Sequence, residues 1–349
     1  DSRGRRMKIL VTACQVPFMH GGADYHIHGL TEALKRAGHQ VELIRFPFKF
    51  SPTSSIEELM TFCEEQDFNQ FNGVQIDKVI SLQYPGYGVR HTDHRVWIMH
   101  QHRAVYELFE QQEVQPGLEA FRNRVIDYDN RVLRRASRLF ANSRNVADRL
   151  RRYNDLSALP LYHPPTGAEH FYCEEPWDYI FFPSRLESLK RQDLLIRAAS
   201  HMKSPLKIFL GGDGGQKQNY QALIEKLGVG DRVKLIGRFS EAEKYTLYAR
   251  ALGIFFGPYD EDYGYITLEA MLSGKPVITC TDSGGPLEFV QDGKTGLVCP
   301  PEPEAIAEAM DRLYADKSAS QAMGLAARDS YTSHNISWSQ VVRSLLADN

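Results

Sequence analysis

Glu261 and Glu269 stand eight residues apart in the stretch DEDYGYITLEAMLSGKPVITC. Upstream, the apolar run at 252–257 reads as a buried strand and 258–262 as a turn. Gly264 opens a helix that stops at Gly274, and the strand PVITC follows. One carboxylate therefore lies on a loop and the other inside a helix. Eight helical steps cover about 12 Å, so the two can grip opposite ends of one elongated ligand. Between them, the backbone N–H groups near Gly264, Tyr265 and Ile266 form an anion site. A ligand with a sugar at one end, a diphosphate in the middle and a ribose at the other fits that layout. Two glutamates at such spacing also arise by chance as a solvated loop charge and an ordinary helix residue, so the rest of the chain must decide.

The elements that would carry these residues alternate in type along the whole sequence. KILVTA, QVELIRF, KVISLQ, RVWIMH and SRLFANS read as strands, with helices over 25–37, around 55–65, over 105–110 and over 120–135 between them. A proline-rich break, LPLYHPPTGAEHFYCEEPW at 159–177, reads as a linker. The rhythm then restarts with YIFFPS, LKIFLGG, RVKLIG, LGIFFG and PVITC, separated by helices over 192–201, 218–227 and 241–251. Such alternation predicts an α/β fold with parallel sheets covered on both faces, in two consecutive doubly wound domains. Ligands of such sheets bind beyond the carboxyl ends of the strands.

The chain has 349 residues, enough for two cores, and its 42% hydrophobic and 24% charged residues are ordinary for a globular protein. DSRGRR before Met7 reads as an expression scar. No run approaches the length of a membrane span and no signal peptide is seen. Cys14, Cys63, Cys173, Cys280 and Cys299 are odd in number and scattered, which points to a reducing compartment, the cytoplasm by default, and away from a zinc site. A net charge of −3 gives no general drive toward nucleic acid. Residues 122–152 nevertheless carry ten arginines against Asp127, Asp129 and Asp148, leaving +7 there and −10 elsewhere. That stretch is either a solvated helix face or a docking surface for an anionic acceptor or an acidic membrane.

FPSRLESLKRQDLL, FLGGDGGQ, VKLIGRFSEAE and DSGGPLEFVQDGKTGLVCPPEPEAIAEAM follow one another in the second half. With the paired glutamates they resemble the retaining, nucleotide-sugar-dependent glycosyltransferases of family GT4, the glycosyl transferases group 1. The resemblance is strong over 180–310 and weaker in the first half. It implies the GT-B architecture: two Rossmann-like domains facing a central cleft, an acceptor-side domain at 1–165, a nucleotide-sugar domain at 166–334, and a C-terminal helix at 335–349 crossing back to the first.

What the resemblance implies residue by residue is as follows. Arg185 and Lys190 hold the diphosphate, a fork and a compact ammonium suiting two phosphates. Glu269 accepts the ribose hydroxyls, and Glu261 faces the donor sugar. Backbone at Gly264, Tyr265 and Ile266 meets the diphosphate, while Ile236, Gly237 and Arg238 read the base. Gly21 and Gly22 in HGGADYHIHGL let backbone approach the donor, although a tight turn would use the same glycines. His100 in IMHQHR faces the reacting centre, with His102 as its close alternative.

The expected activity is transfer of a hexose from a nucleotide diphosphate sugar, UDP-linked by preference, to a hydroxyl of a saccharide or lipid-linked saccharide. No metal or other cofactor is expected. Asp127–Tyr128–Asp129 and Asp260–Glu261–Asp262 resemble a D-x-D metal motif but lack the remaining pattern, and GGDGGQ lacks the full dinucleotide fingerprint. The competing expectations are a nucleotide-sugar epimerase or hydrolase of the same architecture, and a non-catalytic sugar-nucleotide-binding module. Asp262 replaces the small residue of the family's glutamate-glycine-phenylalanine-glycine opening, which bears on the choice of donor sugar.

Overall fold

Neighbouring residues of the first strand point into different cores. Ile9 and Val11 pack with Ile27, Leu30 and Leu34, whereas Leu10 packs with Val79, Phe121 and Val125. A strand buried on both faces is mainly apolar, as KILVTA reads, and its one buried polar residue, Thr12, donates to Ser81 Oγ at 2.6 Å. The computed structural model describes residues 4–348. The chain divides into two units, Asp1–His163 with Ser337–Asn349, and Pro164–Ile336.

The first unit contains β1 (Lys8–Gln15), α1 (Gly22–Arg36), β2 (Gln40–Pro47), α2 (Thr53–Glu65), the short hairpin β3 (Gln70–Phe71) and β4 (Val74–Gln75), β5 (Lys78–Ser81) and β6 (His94–Ile98). It continues with α3 (Leu118–Arg134), β7 (Arg138–Ala141), α4 (Arg144–Asn154) and β8 (Leu159–Pro160). Its six-stranded sheet runs β2-β1-β5-β6-β7-β8, all parallel. The helix expected over 105–110 is replaced by two single 3₁₀ turns, Arg103–Val105 and Phe109–Gln111. Six residues are too few to nucleate an α-helix, and the sheet register leaves the segment as a connection.

The second unit contains β9 (Tyr179–Pro183), α5 (Gln192–Ala199), β10 (Lys207–Gly211), α6 (Lys217–Leu227), β11 (Val233–Gly237), α7 (Glu241–Arg250), β12 (Gly253–Phe255), α8 (Tyr265–Leu272), β13 (Val277–Cys280), β14 (Gly296–Cys299), α9 (Pro303–Ala315) and α10 (Lys317–Ser333). Its sheet is also parallel, in the order β11-β10-β9-β12-β13-β14. Counting its strands in sequence gives 3-2-1-4-5-6, the dinucleotide-fold order. The glycines of GGDGGQ have a packing role: a Cβ on Gly212 would lie 2.6 Å from the Ser184 carbonyl oxygen, and one on Gly214 2.6 Å from that of Leu186. They let this loop lie backbone to backbone on the loop after β9.

The last helix, α11 (Trp338–Leu346), belongs to the first unit and packs on α1 through Val341, Val342 and Leu345. Trp338 fills the notch at Gly29, where a Cβ would sit 2.2 Å from its Cζ2 atom, and its Nε1 donates to the Tyr25 hydroxyl at 3.3 Å. An alanine in a helix ordinarily gains about 1 kcal/mol over glycine. Here overpacking costs about 1–3 kcal/mol and wins. Gly29→Ala is expected to lower the urea midpoint of the first unit with an unchanged m-value. A midpoint equal to or above that of the parent protein would show that Trp338 does not seat there.

Candidate active site

In the second sheet the chain passes from β9 outward to β11 and then returns to pair β12 against the other side of β9 (Gly253↔Ile180, Ile254↔Phe181). The loops leaving β9 and β12 at their carboxyl ends therefore emerge side by side. An open parallel sheet places its ligand crevice at that switch point. The first of these loops carries Arg185 and Lys190, and the second carries Glu261 and ends at Gly264.

Lys190 and Glu261 meet there. The ammonium Nζ donates to Glu261 Oε2 at 2.6 Å, with both side chains largely covered, and stands 5.9 Å from the centre of the Phe256 ring. Gly264 closes the same corner: its φ of +82° suits glycine, and a Cβ would lie 2.6 Å from the Phe256 ring and 3.3 Å from Glu261 Cγ. Gly264 brings no side chain to cap α8, whose first residues are Tyr265 and Ile266. A cation, a carboxylate and the positive end of a helix thus share one corner, an arrangement that can receive a phosphate and a hydroxyl donor.

Glu269 lies on α8, buried, and uses a different cation. Lys244 of α7 brings its Nζ to 3.1 Å from Glu269 Oε2 and also to 3.1 Å from Glu241. The buried Tyr248 hydroxyl faces the same carboxylate, so Glu269 is held from inside by a cation and a phenol. Burial pushes the Glu269 carboxyl up to about 7 against the pull of Lys244. Its side chain keeps 11% of its surface open, and a carboxylate oxygen has lone pairs enough to take hydroxyl donors beside Lys244. Sequence reasoning missed Lys244, because a lysine three residues after a glutamate on a helix looks like local surface pairing.

Arg185 is exposed, with Nε 3.0 Å from Glu187 Oε1, and its carbonyl accepts from Gln192 Nε2 at 2.8 Å. Ile236 and Gly237 end β11, and Gly212 N–H donates to the Gly237 carbonyl at 2.8 Å. Arg238 is exposed, 3.8 Å from Asp213. Ile236 and Arg238 line a cavity of about 530 Å³ with Phe239, Thr246 and Leu247, apolar enough for the face of a base. Loops after β9, β10, β11 and β12 thus meet on one edge of this unit.

In the first unit, Gly21 precedes α1 in extended backbone with nothing within 4 Å of a built Cβ. The turn itself makes no demand for a glycine at 21. Gly22 is the first residue of α1, whose start is braced by Asp24 accepting from Arg45 at 3.0 Å. β6 ends at Ile98, two residues short of the expected strand end, so His100 is on the following loop. It is exposed, with Nδ1 2.9 Å from the Gln101 carbonyl. His102 is instead boxed by Tyr84, Phe48 and Phe121, and burial lowers its imidazole to about 4. Of the two histidines, His100 is the one able to reach a ligand.

Asp129 of the D-x-D look-alike is fully buried and accepts from the Tyr87 and Tyr106 hydroxyls at 2.5 Å each, so it serves the core. Among the described residues no three His, Cys, Asp or Glu side chains gather as a metal site. The ten arginines of 122–152 are partly used internally: Arg124 pairs with Glu57, Arg131 and Arg135 with Glu64, Arg149 with Glu107, and Arg151 with Asp155. No helix among the described residues is long and apolar enough to cross a membrane.

Residues 174–330 match the family described as Glycosyl transferases group 1. Among curated proteins, an alpha-1,3/1,6-mannosyltransferase ALG2 of Dictyostelium discoideum is 36% identical over 125 residues, 34% of this chain and 30% of that protein. A D-inositol 3-phosphate glycosyltransferase of Mycobacteroides abscessus is 26% identical over 238 residues, 63% of this chain and 53% of that protein. The chain thus spans from about a third to about half of these relatives' length. Among solved structures, sucrose-phosphate synthase from Thermosynechococcus elongatus superposes with a TM-score of 0.75 at 18% identity over 97% of this chain and 99% of that one. Anabaena Alr3699/HepE in complex with UDP and glucose gives 0.71, also at 18% identity over 97% and 99%. The fold is GT-B, and the C-terminal unit matches the glycosyl transferases group 1 family over residues 174–330.

The Glu269 environment has a pH signature. A folded value of about 7 against an ordinary 4.5 means the folded chain holds the proton more tightly. The stability this supplies is complete below about pH 4.5 and lost as pH rises through about 7. Glu269→Gln abolishes that titration, so its Tm relative to the parent protein is expected to rise by about 2–4 °C between pH 5 and pH 8. A difference constant across that range would contradict the assignment.

Proposed function

We propose that this chain, with its GT-B fold and group 1 C-terminal unit, is a retaining glycosyltransferase. It moves a hexose from a nucleotide diphosphate sugar, UDP-linked, to a hydroxyl of a saccharide or lipid-linked saccharide. The observation that carries the reading is the Lys190–Glu261 pair at the start of α8, on the switch-point edge of a dinucleotide-type sheet. UDP complexes of a structural neighbour at 18% identity support the nucleotide class. The reading places the enzyme in the cytoplasm, with any membrane contact made through the basic stretch 122–152.

Breaking the sugar–phosphate bond builds negative charge on the departing diphosphate, so fixed positive charge there is the largest catalytic need. In this reading Lys190 exchanges Glu261 for a phosphate oxygen, and exposed Arg185 supplies the second cation without a metal. Gly264, Tyr265 and Ile266 add the helix end. Glu261, once released, accepts a hydrogen bond from a hexose hydroxyl, and buried Glu269 accepts from the ribose. Ile236, Gly237 and Arg238 flank the base. In the first unit, Gly21, Gly22 and the exposed His100 are the groups that the family resemblance assigns to the donor. Retention follows if the acceptor attacks on the face the diphosphate leaves, with a phosphate oxygen taking its proton.

A thermal-shift panel of uridine, guanosine, adenosine and thymidine diphosphates and their hexose conjugates tests the donor. At 100 times Kd the bound ligand adds about 2.7 kcal/mol, and only the uridine series is expected to raise Tm. Affinity should strengthen as pH rises through about 7, where Glu269 ionises. Glu261→Ala is expected to keep the nucleotide shift while UDP release from UDP-hexose falls by about 100-fold or more. Turnover undiminished in that variant, or no shift with any nucleotide, would contradict the reading.

A further inference from the structure

Arg191 sits between the phosphate-side lysine and α5 with φ of +58°, a left-handed conformation that glycine adopts without steric cost and an arginine does not. Its side chain is largely buried and fully directed. Nε donates to the Gly257 carbonyl at 2.9 Å and Nη2 to the Pro258 carbonyl at 3.0 Å. Nη1 and Nη2 grip the two oxygens of Asp282 at 2.9 and 2.7 Å, a bidentate pair. The guanidinium also lies 5.9 Å from the Tyr259 ring centre.

These bonds knit three loops. The strip 257–261 lies between the loop after β9 and the loop after β13: Tyr259 N–H donates to the Leu189 carbonyl, Asp260 N–H to that of Asp282 and Glu261 N–H to that of Ser283. Arg191, the residue after Lys190, ties the strip to both neighbours at its root, Gly257 and Pro258. If the turn were the only demand at 191, glycine would serve it better. The strained arginine is explained by what its fork holds.

We infer that Arg191, backed by Asp282, is a positioning residue that fixes the Glu261-bearing strip against Lys190 and so sets recognition of the hexose half of the donor. The inference rests on the donor reading above for its ligand and on the loop bonds alone for its geometry. Arg185, Lys190 and the start of α8 reach the diphosphate from outside the strip 257–261, and Glu269 and the base-side residues sit on other elements, so the nucleotide half should be recognised without the clamp.

Arg191→Gly relieves the backbone and removes the fork, and Asp282→Asn weakens the fork while keeping the backbone as it is. Hydrogen exchange of the amides of Tyr259, Asp260 and Glu261 is expected to accelerate about tenfold or more in Arg191→Gly, with α9 and α10 unchanged. Calorimetry with UDP and UDP-glucose, and with GDP and GDP-mannose in parallel, should show the diphosphate bound within about twofold of the parent protein. The added affinity from the hexose should fall about tenfold, a change of about 1.4 kcal/mol. Asp282→Asn should reproduce both effects in smaller degree. Unchanged exchange in the strip, or equal weakening of diphosphate and sugar nucleotide, would overturn the inference. If the parent protein binds none of these nucleotides, the donor reading fails and the exchange result decides the clamp by itself.

Discussion

The pairing of β12 against β9 is the constraint from which the candidate site follows. Two strands separated in sequence by three helices and two other strands become parallel neighbours, so the loops at 184–191 and 256–264 share one edge. Lys190 and Glu261, 71 residues apart, then form a 2.6 Å pair. Tyr179, Ile180, Phe181 and Phe182 are all buried in one core, and the ladder pairs Gly253 with Ile180 and Ile254 with Phe181. The chemistry of the corner is thus held by the core beneath it.

Two carboxylates with two separate cations suit an elongated ligand better than one shared cluster would. Glu261 is held by Lys190 near solvent, and Glu269 by Lys244 in a buried setting. A ligand that supplies its own anionic centre and hydroxyls at both ends can replace the first pair and add donors to the second. The cost of keeping Glu269 buried shows in its raised carboxyl, a common mark of functional sites.

Much of the second unit was legible because its signals are local. Strands YIFFPS, LKIFLGG and LGIFFG are short apolar runs bounded by turn residues, and the helix opening at Gly264 is a glycine followed by an apolar segment. Shorter or tertiary features were not legible. β8 hides in a proline-rich segment and exists because β7 offers it an edge (Phe140↔Leu159). β14, GLVC, is four residues long and is defined by pairing with β13. The Lys244–Glu269 contact joins two helices, and the left-handed turn at Arg191 has no sequence mark, since the residue there is not a glycine. Asp129 looked like half of a metal motif because sequence does not show that both Tyr87 and Tyr106 point at it.

The central claim is that the Lys190–Glu261 pair is a placeholder for a diphosphate and a sugar hydroxyl. A crystal structure of the protein with a uridine diphosphate hexose tests it most directly. The account predicts Lys190 Nζ within hydrogen-bond distance of a phosphate oxygen, Glu261 turned to a hexose hydroxyl, and the 2.6 Å contact broken. A nucleotide bound elsewhere with that contact intact would contradict it.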